Sequence, residues 1–222
     1  MRNRLAVFDC DGTLVDSGAT IYAALKACLT ENGLDVPPPA VCRGVIGLSL
    51  TEAMAALLPS APAKLHLKLA DDYRRVFIGL RAAGEVEEPL FDGVLELLDA
   101  LEGEGWLLAV ATGKSDRGLR YCLERHGIHA RFVSLQTADG HPSKPHPSMV
   151  AQAMADAAAA PNATIVVGDT SFDMAMAVAA GATGIGAGWG YHEADELIAA
   201  GAVAVADRPL EIFDLIRSHV DG

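Results

Sequence analysis

Leu5-Ala6-Val7-Phe8-Asp9-Cys10-Asp11-Gly12-Thr13 is the stretch on which the fold turns. Four apolar residues run straight into two acids and a glycine. A short apolar run bounded by turn residues reads as a strand buried on both faces, as in a parallel sheet. Side chains two apart on an extended chain point the same way, so Asp9 and Asp11 project together at the strand's end. Gly12 permits a sharp turn after them. Two carboxylates held close repel each other and need a cation, a proton or a hydrogen-bond cradle. Mg²⁺ suits such an oxygen-only ligand set. For the pair alone, an Asp-Gly turn with a solvated carboxylate is the plainer alternative.

Outward from that strand the same pattern repeats. Leu107–Ala111, Phe132–Leu135 and Thr164–Val167 read as further strands, with weaker ones near Thr183–Ile185 and Ala202–Val205. Amphipathic stretches lie between them, so the fold class is α/β with a Rossmann-like parallel sheet core. Gly127 and Gly181 follow helical stretches as left-handed stops. Ser115 and Ser171 stand where helix N-caps belong. The alanine run 157–160 reads as helix. Between Ser17 and Glu88 no strand is evident. Helices are expected there near Ala19–Asn32, Ser49–Leu58 and Ala63–Gly79, with Ser49-Leu50-Thr51-Glu52 spaced as a capping box. The chain therefore divides into a discontinuous core, residues 1–16 and 89–222, and an inserted α-helical cap, residues 17–88.

Ligands of open α/β sheets sit at the carboxyl ends of the strands, so polar residues there are site candidates. Asp169 closes the strand Ile165-Val166-Val167-Gly168, and Asp173 lies one helical turn later on the same face. With Asp9 and Asp11 they form two acidic corners that read as a metal cage. Thr112-Gly113-Lys114 ends another strand; a hydroxyl and exposed backbone N–H groups at such a turn hold an anion, or simply make the turn. Lys144 stands in His141-Pro142-Ser143-Lys144-Pro145-His146-Pro147, on a stretch stiffened by proline, and presents a point charge suited to a phosphoryl group or merely to solvent.

Composition bounds the partners. The 222 residues carry 17 basic and 29 acidic side chains, a formal charge of −12. That balance disfavours nucleic acid and anionic membrane surfaces. Half the residues are hydrophobic, which excludes a disordered chain. Cys10, Cys28, Cys42 and Cys122 form no CxxC pair and read as reduced thiols of a cytoplasmic protein. Like-charge neighbours would raise the Cys10 thiol. The apolar run after Arg2 and Arg4 is cut by Asp9 and is too short for a secretory signal. Met174–Tyr191 is an alanine- and glycine-rich stretch that carries no charge, and its glycines argue against a membrane span.

Taken together, Asp9–Thr13, the strand ending in Thr112, Lys144 before a proline, and Gly168-Asp169…Asp173 resemble the four motifs of the haloacid dehalogenase superfamily over nearly the whole chain. The helical insert and Gly188-Trp189-Gly190-Tyr191-His192 look like its phosphoglycolate phosphatase branch. The resemblance implies that Asp9 is a nucleophile forming an aspartyl-phosphate and Asp11 a general acid and base. It implies Mg²⁺ held by Asp9, the Asp11 carbonyl and Asp169, with Asp173 acting through water or orienting Lys144. Thr112, the Gly113 N–H and Lys144 would bind the phosphoryl group. In the cap, Arg43-Gly44-Val45-Ile46-Gly47 would read the substrate, with Arg43 gripping an anion and Gly47 shaping the loop.

The expected activity is Mg²⁺-dependent hydrolysis of a small, phosphoglycolate-like phosphomonoester, a phosphorylated metabolite. A phosphosugar mutase of the β-phosphoglucomutase type is the alternative enzyme. A phospho-acceptor module or a catalytically silent binding protein is the non-enzyme alternative. Oligomeric state, monomer or dimer, is open at this level.

Overall fold

The computed structural model describes residues 3–220; Arg2, which entered the signal reading, lies outside them. Six strands form one parallel sheet: β1 (Asn3–Phe8), β2 (Trp106–Thr112), β3 (Phe132–Thr137), β4 (Ala159–Gly168), β5 (Thr183–Ala187) and β6 (Ala202–Ala206). Their order is β3-β2-β1-β4-β5-β6. The first strand therefore sits in the middle, where the strand order reverses and ligands of this architecture bind.

The alternation of the first strand explains the layers. Ala6 and Phe8 enter an apolar cluster with Leu97, Leu119 and Ile212. Those residues come from α5 (Val94–Gly103), α6 (Asp116–Arg125) and α10 (Pro209–Val220). Leu5 and Val7 point the other way, into a cluster with Met149 and Met176. Those come from α7 (Ser148–Asp156) and α8 (Ser171–Ala179). α9 (Ala194–Ala199) covers the far edge through Leu197. Covering both faces is why the strands read as unbroken apolar runs. The register places Phe8 beside both Val110 and Val167. Asp9, Thr112 and Asp169 thus emerge from three adjacent strands at one edge.

The insert is four helices: α1 (Gly18–Glu31), α2 (Pro39–Arg43), α3 (Leu50–Leu57) and α4 (Ala63–Ala82). They have an apolar cluster of their own, with Leu25, Leu29, Met54, Leu69 and Tyr73 inside it. Its two connections to the sheet run side by side. The Asp16 N–H donates to the Pro89 carbonyl at 2.8 Å and the Phe91 N–H to the Leu14 carbonyl at 3.0 Å.

Three local expectations are corrected. The capping box at Ser49 does not form. The Ser49 N–H instead donates to Ser143 Oγ at 2.9 Å, tying the insert to the loop of Lys144. The cap of α8 is Thr170 rather than Ser171, because Thr170 and Asp173 satisfy each other's backbone N–H groups reciprocally. The alanine run 157–160 is not helix. Ala158 turns to φ 48°, and Ala159 and Ala160 already belong to β4. Asn3 Nδ2 takes the Ala157 carbonyl at 2.7 Å and draws the chain into the sheet. Ser115 does cap α6, accepting from the Gly118 N–H, and Gly127 and Gly181 both have positive φ after helix ends. Among the described residues, no helix is long and apolar enough to cross a membrane.

Candidate active site

Asp9 continues the ladder of β1, its N–H donating to the Val167 carbonyl at 2.9 Å. Its side chain is 1 % exposed. Oδ1 accepts from the Cys10 N–H at 2.6 Å and lies 2.9 Å from Lys144 Nζ. Oδ2 is buried and has no partner. One oxygen is thus anchored and the other is available.

Lys144 is buried to 2 % exposure, so the solvated-surface alternative falls away. Its ammonium bridges Asp9 Oδ1 and Asp173 Oδ1, the latter at 2.7 Å. The peptide bond to Pro145 is cis. Burial works against its charge, but Asp173 and Asp9 outweigh it and raise its pKa. Asp173 Oδ2 meanwhile accepts from the Thr170 N–H at 3.1 Å and from its hydroxyl. Asp173 therefore orients Lys144 and starts α8 at once.

Asp169 lies opposite. Oδ1 accepts from Thr13 Oγ1 at 2.9 Å and Oδ2 from the Tyr191 N–H at 3.0 Å. Carboxylate oxygens of Asp9, Asp169 and Asp173 lie within 4.8 Å of one another. Three acids face one ammonium, a surplus of 3 − 1 = 2 negative charges if all ionise. Burial, then the charges of Asp9 and Asp173, push the Asp169 carboxyl well up. Asp9 is pushed up to about 7, by burial first and by Asp173 and Asp11 against the opposing pull of Lys144. The orphaned Asp9 oxygen and the uncompensated charge fit a divalent cation, and the all-oxygen donor set fits Mg²⁺.

Asp11 stands on the other side, toward the insert. Its Oδ1 accepts from Ser17 Oγ and lies 2.8 Å from Lys114 Nζ. Lys114 Nζ also reaches Glu88 Oε1 at 2.6 Å, and Glu88 is 3 % exposed. Tyr191 Oη lies 3.3 Å from Ser17 Oγ. Burial raises the Tyr191 hydroxyl pKa, and Asp11 raises it further.

Gly113 sits under the insert. A Cβ there would lie 2.6 Å from the Leu48 carbonyl and 2.8 Å from that of Gly47. The Arg43–Gly47 loop thus divides. Gly47 is buried, has φ +97° and borders a cavity together with Asp11 and Gly113. Arg43, expected to grip a substrate anion, is exposed on a separate cleft with Asp16, Tyr22 and Trp189, apart from the cavity that Gly47 borders. The five-residue α2 ends there and turns its last side chain toward the 189–191 loop. The Cys10 thiol is raised as expected, but chiefly by its hydrogen bond with Cys122 and by burial; Asp11 adds least.

Gly190 makes a close approach on which Asp169 depends. A Cβ at that position would lie 2.1 Å from Asp169 Cβ. Gly190→Ala is expected to displace Asp169 and raise the Mg²⁺ concentration for half-maximal activity about 10–100-fold, the usual cost of disturbing a ligand's support. A Mg²⁺ titration of activity beside wild type checks this; an unchanged midpoint would remove Asp169 from the ligand set.

A doubly wound parallel sheet with acids and a buried lysine at its central carboxyl edge, under a helical insert, defines a class of α/β enzyme built for anionic substrates. Residues 6–187 match the family model described as haloacid dehalogenase-like hydrolase, and the chain belongs to that family. It is 34% identical to a protein named probable phosphatase IndB from Dickeya dadantii, over 94% of this chain and 91% of that one. It is 31% identical to a phosphoglycolate phosphatase from Xylella fastidiosa, over 87% of this chain and 83% of that one. Among solved structures, a haloacid dehalogenase-like hydrolase from Streptococcus pneumoniae superposes with TM-score 0.83 at 27% identity, covering 96% of this chain and 98% of that one. The chain is a phosphatase of that family.

Proposed function

We propose that the protein is a Mg²⁺-dependent phosphatase that hydrolyses a small phosphomonoester through an aspartyl-phosphate on Asp9. The observation that carries this is the Asp9 side chain: Oδ1 held by Lys144 and Oδ2 buried and unpartnered. One Asp9 carboxylate oxygen would form a bond to phosphorus as the bond to the leaving oxygen breaks. Asp11 would give that oxygen its proton, and would later take one from the water that hydrolyses the acyl phosphate. Ser17 and Lys114 anchor Asp11 Oδ1, leaving its other oxygen for the exchange.

Thr112 and the Gly113 N–H would hold phosphoryl oxygens, and Lys144 would offset the charge that builds between Asp9 and phosphorus. Asp9, Asp169 and the Asp11 carbonyl would hold Mg²⁺, with Asp173 contributing through water. When bound, Mg²⁺ supplies positive charge to the phosphoryl oxygens. Contact of Gly47 and Leu48 with Gly113 supports a cap that excludes water during the first step.

Phosphoglycolate is the reference ester, given the relatives that carry its name. The test is release of inorganic phosphate from phosphomonoesters, with Mg²⁺ and with excess EDTA. Turnover that EDTA abolishes and Mg²⁺ restores is the expected result. Metal-independent turnover, or none over a broad panel, overturns the proposal. An isomerised sugar phosphate in place of free phosphate would redirect it to a mutase.

A further inference from the structure

Asp11 does more than border the acidic trio: it forms one wall of a cavity of about 340 Å³ between the sheet and the insert. Neither Asp9 nor Lys144 lines that cavity. If Asp11 protonates the leaving oxygen, the leaving group extends away from Asp9, and this cavity is the space it enters. The size falls at the lower end of ligand clefts, roughly 300–1,000 Å³. It is far more than the two carbons of glycolate occupy.

The lining is mostly apolar. Ile21, Ile46, Leu50, Tyr73, Phe77 and Ile78 come from the insert. The cations near them are largely engaged. Lys114 is held between Asp11 and Glu88. Arg74 pairs with Asp71 at 2.7 Å. The Arg81 guanidinium lies 4.2 Å from the Tyr121 ring centre and 5.2 Å from that of Phe77, with Glu88 3.9 Å away. Arg117 is exposed, and among the described residues it has no ion pair. A second anion on a short leaving group would find, among the described residues, only Arg117 without an ion pair, and would otherwise lie against aliphatic and aromatic side chains beside Asp11, where a carboxylate is costly. An apolar body of ring size would instead remove its surface and that of the walls from water.

We infer that the substrate is a phosphomonoester whose leaving group carries an apolar, ring-sized body, seated in this cavity against Ile46, Tyr73 and Phe77. This rests on the phosphatase reading and narrows it. It also moves substrate choice from Arg43 to the apolar faces of α1 and α4.

The test compares kcat/KM for phenethyl phosphate, ethyl phosphate and phosphoglycolate in Mg²⁺. All three leave as alkoxides, so the comparison reports the cavity more than leaving-group chemistry. Phenethyl phosphate is expected to exceed both others about 100-fold, the scale on which several buried carbons discriminate. Phe77→Ala is expected to shrink the phenethyl-to-ethyl ratio about tenfold; Ile21→Ala serves if that variant does not fold, as judged by its thermal transition. Equal rates for phenethyl and ethyl phosphate, or a preference for phosphoglycolate, overturn the inference and leave the phosphatase standing. No turnover of any of the three, nor of a wider panel, overturns the phosphatase reading itself.

Discussion

Asp9→Asn is expected to abolish phosphate release, by about 10⁴-fold or more, the scale seen when a nucleophile is removed from a concerted set. The fold should persist, because Asn is isosteric and can still accept from Lys144 and the Cys10 N–H. A stability signature should accompany the loss. Burial, together with Asp173 and Asp11, lifts the Asp9 carboxyl to about 7 from its ordinary 3.8, despite Lys144. Between those two values the folded chain binds a proton at Asp9 that the unfolded chain has released. The unfolding free energy then falls as pH rises, since the native state holds more protons. The contribution is intact below the lower value and lost once pH has passed the upper one. Wild type in EDTA should therefore lose melting temperature from pH 4 to pH 7, and Mg²⁺ should restore most of it at the alkaline end by replacing that proton. Asp9→Asn should flatten the slope and melt higher than wild type at pH 8 in EDTA. Thermal melts at both pH values, with and without Mg²⁺, read this out. A variant that still turns over, or keeps the wild-type slope, would remove Asp9 from the centre of the site.

How much of this was legible in the sequence depends on the range of the signal. β1, β2 and β4 could be read because both faces of the sheet are covered, which leaves runs such as Leu5–Phe8 with no polar residue. Asp9 and Asp169 could be read because each follows such a run directly. Lys144 could be singled out by its prolines, but its burial could not, since that needs Asp173 at a separation of 29 residues. Glu88 and Ser17 have no local signature for the same reason. Each looks like an ordinary solvent-facing residue until the two connections of the insert are laid side by side and bring Lys114 and Asp11 to them. Tyr191 was visible only as part of a resemblance; its N–H on Asp169 and its hydroxyl near Ser17 are what give it work.

Arg43 shows the converse. A basic loop beside glycines suggests an anion reader, but which side of a five-residue helix meets the site is decided by how the insert docks. Docking rests on contacts such as Ser49 with Ser143 and Gly47 with Gly113, none of which has a local signature. The same contacts prevented the capping box, because the Ser49 N–H had a partner across the cleft. Local rules therefore carried the strand ends, where the chemistry sits. They did not carry the docking of the insert.

Lys144→Met should damage stability as well as turnover, and the two losses should separate. Methionine matches the length of the lysine stem but leaves Asp9 Oδ1 and Asp173 Oδ1 without the ammonium between them. Removing one partner from a buried ion pair costs about 3–5 kcal/mol, because the remaining charge has neither water nor counter-ion. Here two carboxylates are stranded, with Asp169 close to both. The loss should be largest above pH 7 in EDTA. It should shrink on acidification as the acids take up protons, and shrink again with Mg²⁺, which restores positive charge. Turnover should fall about 10²–10³-fold even in saturating Mg²⁺, the range for losing one donor at a developing oxyanion. Adding Asp173→Asn removes one stranded charge and keeps an acceptor for the Thr170 N–H. The double variant should recover much of the stability and little of the activity. Denaturant melts and phosphate-release rates for wild type, both single variants and the double variant make the comparison. If activity returned along with stability, Lys144 would be only a structural counter-ion. If it stayed well below that of the Asp173→Asn single variant, the ammonium acts on the transferring phosphoryl group through its hold on Asp9.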